Sequence, residues 1–272
     1  MYSRRAVQIV NHDARDTPDG APEAVRVRLL GGFRVSVGNR TIEEDEWRLR
    51  KAGSLIKLLA IAPQHRLHRE RVMDLLWPKL DVGKAANNLR YTLHNARRTL
   101  ESALPNGSRC LHLRSGRLAL CPEGLLWVDV EAFEEAAAAA RRARNPAAYE
   151  AAVGLYAGNL LPEDSYEEWA EDRREELRRA YLALLLELAG LYEKGEDFGP
   201  AVEALRQVLA SEPTHEGAHM GLMRLYALLR TAPGGFAAVR AAPGGPFAET
   251  QRRAWRGQPA PLRRDPSGAV PT

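Results

Sequence analysis

Asn87, Tyr91, His94 and Arg98 follow one another at steps of four, three and four residues. On a helix that advances about 100° per residue, this spacing lines them up on one side. Their chemistry suits nucleic-acid recognition. Asn can hold adenine through two hydrogen bonds, Arg can hold guanine or a phosphate, and Tyr can reach phosphate or sugar. Arg90, Asn95 and Arg97 flank the stripe, and none of these outward residues is acidic. A basic face alone is also what a solvated helix carries, so the reading depends on the elements around it.

A helix from about Lys84 to Ala103 would place Ala85, Leu89, Leu93, Ala96 and Leu100 on the opposite side as an apolar stripe. Upstream, Arg50 to Ala62 has Ala52, Leu55, Ile56, Leu59 and Ala60 on one face and is closed by Pro63. Glu70 to Trp77 predicts a short helix with Val72, Met73, Leu75, Leu76 and Trp77 as core candidates, stopped by Pro78. Three helices ending in the basic one make a helix-turn-helix core. Strand patterns flank it. Val25 to Val37 alternates apolar and basic residues around a Gly31-Gly32 break, and Cys110 to Cys121 alternates about Ser115-Gly116. In a two-residue hairpin Leu113 faces Leu118 and Leu111 faces Leu120, with Arg114 and Arg117 at the tip. Strands, three helices and a basic-tipped hairpin are the order of an α+β winged helix of the response-regulator type.

Charge divides the chain in the same way. Val25 to Val128 carries 19 Lys or Arg against 9 Asp or Glu, a balance of +10, whereas Asp129 to Arg230 carries 11 against 20, a balance of −9. The whole-chain charge of +4 conceals this split. It fits a nucleic-acid-binding half joined to an acidic interaction half, and it argues against membrane binding by the whole molecule.

The acidic half reads as all-α. Asp129 to Arg144 is rich in strong helix formers, Pro146 opens a helix predicted to run to Pro162, and a long helix is predicted from about Tyr166 to Lys194. Leu191-Tyr192 recurs as Leu225-Tyr226, 34 residues on, which is the period of tetratricopeptide helix pairs. Such pairs stack into a binding surface. The expected organisation is a flexible tail over 1–24, a winged helix over 25–128, a tetratricopeptide-like domain over 129–231, and a disordered tail over 232–272. That last segment has 13 Gly or Pro in 41 residues and the Ala, Arg, Gly and Pro content of a GC-rich gene read out of frame.

From Val25 to Leu229 the chain resembles the antibiotic-regulatory activators of actinobacteria, in which a winged helix precedes a bacterial transcriptional activator domain. The resemblance is carried by LLGGFRV at Leu29 to Val35, LLW at Leu75 to Trp77 and NNLRYTLHNARRTL at Asn87 to Leu100. It continues through VDVEAFEEA at Val128 to Ala136, LYAGNLLPED at Leu155 to Asp164, EEWAEDRREELR at Glu167 to Arg178 and GLMRLYALL at Gly221 to Leu229. It implies that Lys84 to Ala103 is the recognition helix and that the loop Pro78 to Gly83 touches RNA polymerase. It further implies a dimer on direct repeats of promoter DNA.

Other chemistry is poorly represented. No phosphate loop, nucleophile elbow or zinc-protease motif is present, so neither an enzyme nor a cofactor is expected. No Cys/His grouping has metal-ligand spacing, and His65 and His68 are expected as surface or capping residues. Cys110 and Cys121 would lie opposite each other across the hairpin and are expected to be reduced. No run of about 18 apolar residues occurs, so the expected location is cytoplasmic and nucleoid-associated. The alternative function is a protein-interaction adaptor whose helical half binds a partner while DNA affinity is lost.

Overall fold

A computed structural model describes residues 25–38, 40–103, 110–122 and 126–231; the two tails predicted from composition lie outside the described residues. The chain divides into two compact units. Of the described residues, one takes Val25–Arg28 together with Phe33–Val128, and the other takes Leu29–Gly32 together with Asp129–Thr231.

In the first unit, β1 (Val25–Arg28), β2 (Arg34–Val37) and β3 (Arg40–Glu43) form an antiparallel meander, and β7 (Leu126–Val128) pairs parallel to β1. The alternation that predicts these strands also sets their faces: Val25, Val27, Val35 and Val37 are buried, while Arg26, Arg28 and Arg34 are exposed. Next come α1 (Arg50–Ile61), β4 (Arg66–His68), α2 (Arg69–Leu76) and α3 (Val82–Ala103). The hairpin β5 (Leu111–Arg114) and β6 (Arg117–Leu120) follows, with β4 added along β6. Its register is the predicted one, Leu113 opposite Leu118 and Leu111 opposite Leu120.

α1 is buried almost all round, and this differs from the one-faced helix that its sequence predicts. Lys57 is buried with only 2 % exposure, its Nζ 2.7 Å from Glu44 Oε1 and 4.6 Å from the centroid of the Phe33 ring. The carboxylate and the ring face together offset the desolvation of the ammonium. In α2, Val72, Met73 and Leu76 are buried, but Leu75 and Trp77 are only half-buried.

Among the described residues the second unit stacks five α-helices, each packed on the next: α4 (Asp129–Ala143), α5 (Pro146–Leu155), α6 (Glu171–Lys194), α7 (Phe198–Ser211) and α8 (Glu216–Thr231). Asn145 caps α5, its side chain accepting from Ala148 N at 2.9 Å, and Pro146 follows at the first helical position. Phe133, Tyr156 and Tyr181 form an aromatic run in the core, with Tyr156 stacked on Tyr181 at 4.2 Å between centroids.

Two predicted boundaries in this unit are corrected. α5 stops at Leu155 rather than at Pro162, and α6 starts at Glu171 rather than near Tyr166. Residues 156–161 run alongside Leu29–Gly32. Gly31 N donates to Asn159 O, Leu161 N donates to Leu29 O, both at 2.9 Å, and Leu30 bridges Leu160. Gly31 sits at φ 79°, and a Cβ there would lie 2.9 Å from the Ala157 carbonyl oxygen. A Cβ on Gly158 would meet Gly31 Cα at 3.0 Å, so the two glycines permit backbone-to-backbone contact. Asp129, at the start of α4 and 5 % exposed, accepts from Leu29 N and Leu30 N at 2.9 to 3.0 Å. LLGG and AGNLLPED, far apart in sequence, are therefore two sides of one seam.

Candidate nucleic-acid interface

α3 is held to its unit by the predicted stripe. Ala85, Leu89, Leu93, Ala96 and Leu100 are all buried, and each buried Leu contributes about 1.5–3 kcal/mol. Each end of the helix has a side-chain partner. At the start, the Asp81 side chain accepts from Lys84 N at 2.9 Å and lies 3.2 Å from Lys84 Nζ. The Lys84 backbone N–H, aided by the Lys84 side chain, holds the Asp81 carboxyl below the usual range. At the far end, Arg40 Nη1 donates to Ser102 O at 2.6 Å, a guanidinium on a carbonyl of the last helical turn.

The opposite face is open. Asn87, Arg90, Tyr91, His94 and Arg98 are exposed, with Tyr91 at 63 %. Among the described residues, Arg90 and Arg98 pair with no carboxylate. The Tyr91 phenol ring is left in water on a face that also carries Asn87, His94, Arg90 and Arg98.

Two of the predicted residues are already engaged. Asn95 is half-buried and its Nδ2 donates to Tyr91 O at 2.8 Å. Arg97 is half-buried and its Nε donates to Leu111 O at 3.0 Å, joining α3 to the first strand of the hairpin. The wheel projection placed both on the flank of the stripe, where a small change in neighbours decides between solvent and packing.

At the tip of the hairpin, Arg114 and Arg117 are exposed and directly paired across the strands. Ser115 and Gly116 form the turn at φ 50° and 76°, the two left-handed residues that a two-residue hairpin needs. The sequence reading missed β4, whose three residues are too few to show an alternation. It puts exposed Arg66 opposite Ala119 and His68 opposite Arg117, adding polar and basic groups to the same sheet. Asn88, next to Asn87 on α3, is exposed as well and went unassigned because it lies at the edge of the projected stripe. His65 turns its Nδ1 towards Ala60 O at 3.1 Å, closing the turn after α1.

Among the described residues there is no group of three or more His, Cys, Asp or Glu that could hold a metal ion. Within the same residues no helix is long and apolar enough to cross a membrane.

Residues 128–232 match the model of the bacterial transcriptional activator domain. No curated protein matches the chain. Among solved structures, the fold is similar to that of Mycobacterium tuberculosis EmbR in complex with a low-affinity phosphopeptide, with a TM-score of 0.62 at 17 % identity. That match covers 87 % of this chain and 66 % of EmbR, so the chain spans a little under two thirds of that protein. The matched residues are the tetratricopeptide-like helices that follow the winged helix. The second half of the chain therefore carries a bacterial transcriptional activator domain.

Proposed function

We propose that the protein is a sequence-specific activator that sets α3 in the major groove of promoter DNA. The observation that carries this reading is the exposed stripe of Asn87, Arg90, Tyr91, His94 and Arg98, in which the guanidinium groups of Arg90 and Arg98 have no carboxylate partner among the described residues. A solvated helix of a stable domain ordinarily spreads both signs of charge over its outer face. Here the face is basic and polar from Asn87 to Arg98, with Glu101 following only in the last turn, which matches a surface built for phosphates and base edges. Arg114 and Arg117 at the hairpin tip supply phosphate contacts, while Asn95 and Arg97 act at the margin of the interface.

The turn before α3 contributes in a different way. Leu80 and Val82 are exposed at 41 % and 71 % on either side of Asp81. Exposed apolar side chains are poor partners for DNA and good ones for protein, which supports a contact of Pro78 to Gly83 with RNA polymerase. Two protomers on repeated sites, in the cytoplasm and on the nucleoid, complete the proposal.

Genome-wide immunoprecipitation followed by site mapping would supply the operator, and gel shift on that fragment tests the face. Arg98→Ala and Tyr91→Ala should each weaken the specific shift, by about 1–3 kcal/mol for Arg98→Ala, while leaving the far-ultraviolet circular dichroism unchanged. With six or more phosphate contacts, affinity should fall about a thousandfold or more between ~50 and ~200 mM salt. Unchanged specific shift in both variants would overturn the assignment of α3. A partner recovered by the helical half, together with no salt-sensitive DNA binding, would favour the adaptor reading instead.

A further inference from the structure

The chain has two cysteines, and the hairpin brings them together at its base. One pair beyond Leu111 and Leu120, Cys121 N donates to Cys110 O at 2.6 Å, so the ladder continues and sets the two cysteines directly opposite. A hydrogen-bonded antiparallel pair holds its Cα atoms about 5.5 Å apart. That lies inside the roughly 4.4–6.8 Å range that a disulfide spans. Both thiols are free.

Their surroundings differ in a useful way. Cys110 is half-buried and reachable from solvent, whereas Cys121 is buried and ends its strand in the left-handed region at φ 44°. The Cys121 thiol hydrogen-bonds the Cys110 sulfur, which lowers the pKa of Cys110 and, with burial, pushes that of Cys121 up. Cys110 is thus the sulfur that ionises first and meets an oxidant first.

We propose that Cys110 and Cys121 form a peroxide-reactive dithiol that closes into a reversible disulfide at the base of the hairpin. The Cys110 thiolate attacks one peroxide oxygen. An S–O bond forms, the O–O bond breaks, and the departing oxygen takes a proton and leaves as water or an alcohol. Cys110 is now a sulfenic acid. The Cys121 sulfur then attacks the Cys110 sulfur and gives up its proton. The S–S bond forms, the S–O bond breaks, and the hydroxyl leaves as water. Overall two thiols are oxidised by two electrons and one peroxide is reduced.

The disulfide would act next to the recognition helix. Leu111, adjacent to Cys110, holds Arg97 of α3 through its carbonyl. Drawing residue 110 towards residue 121 bears on that bond, and so on the stance of the outward face. The effect on DNA rests on the reading of α3 as the groove helix, but the thiol chemistry stands apart from it.

The test uses the reduced full chain, freed of reductant and treated with hydrogen peroxide. Both thiols should disappear together, the intact mass should fall by two hydrogens, and the protein should stay monomeric on a non-reducing gel. Digestion should yield the peptide linked from Cys110 to Cys121, and dithiothreitol should restore both thiols. Cys121→Ser should stop at a sulfenic acid on Cys110 that dimedone labels, and Cys110→Ser should leave Cys121 unreacted over the same time course. Persistence of both thiols, disulfides only between chains, or Cys110→Ser reacting as fast as the unaltered protein would each overturn the proposal. The linked peptide from the unaltered chain decides the matter even if a serine variant fails to fold. Gel shift before and after oxidation separates the two readings, since a linked peptide without a change in shift preserves the dithiol and removes its link to α3.

Discussion

In the helical half, Arg141, Arg173, Arg178, Arg179 and Arg224 each lie 2.6 to 3.5 Å from a glutamate. In the winged helix, Arg90, Arg98 and Arg117 face outward and, among the described residues, meet no carboxylate. The contrast is not one of domain alone, because Arg34 and Lys57 of the winged helix are paired with Glu43 and Glu44 at 2.9 and 2.7 Å. What differs is the face. Where charge serves packing, the chain supplies an acid at the right distance; along the open side of α3 from Asn87 to Arg98 it supplies none. Unpaired like charges repel one another and lower stability slightly, so a face that keeps them is shaped by something other than stability.

This comparison can be broken by substitution. The largest expected effect is structural and lies in the helical unit. Asp129→Ala leaves the buried N–H groups of Leu29 and Leu30 without this acceptor, and at about 1–3 kcal/mol for each of the two groups it should cost about 2–6 kcal/mol. Urea denaturation would record this as an earlier midpoint.

Next in size is a functional effect. Arg98→Ala should weaken operator binding by about 1–3 kcal/mol and, if the side chain holds a phosphate, reduce the salt slope by about one. Thermal melting should stay where it was. A lower melting temperature with unchanged binding would reverse the roles assigned to the two sets of arginines.

Arg173→Ala provides the matched control. Its guanidinium joins Glu134 at 2.6 Å and Glu176 at 2.7 Å across the helical half. Its loss should lower stability by about 1 kcal/mol and leave the salt dependence of DNA binding untouched.

The smallest effect concerns pH. Asp81 is held below its ordinary range by the Lys84 N–H, so the folded protein binds this proton less readily than the unfolded chain does. Its contribution is therefore complete above the ordinary carboxylate range and is lost as pH falls through the depressed folded value. Amide exchange at Lys84 should accelerate over that acid window. In Asp81→Asn the acceleration should disappear, because the amide accepts the same hydrogen bond without titrating.

Much of the interface is legible in sequence because it is local. Steps of three and four residues place Leu89, Leu93, Ala96 and Leu100 inward and Asn87, Tyr91, His94 and Arg98 outward whatever surrounds the helix. Likewise a two-residue turn at Ser115-Gly116 sets the register of β5 on β6 down to the cysteine pair. Asn95 and Arg97 were harder to place, since their exposure depends on the i−4 carbonyl and on Leu111 rather than on position around the helix.

The sequence by itself thus determined which side of α3 is packed, which residues it presents, and how the hairpin closes, because each follows from periods of two or about 3.6 residues and from turn chemistry. Tertiary structure alone decided that Leu29–Gly32 joins the helical unit, that α5 ends at Leu155, and that Lys57 is buried. The first two follow from the close backbone approach of Gly31 and Gly158, and the third from a glutamate and a phenylalanine ring brought over the ammonium. Partners this distant leave no period in the chain, so no local pattern could announce them.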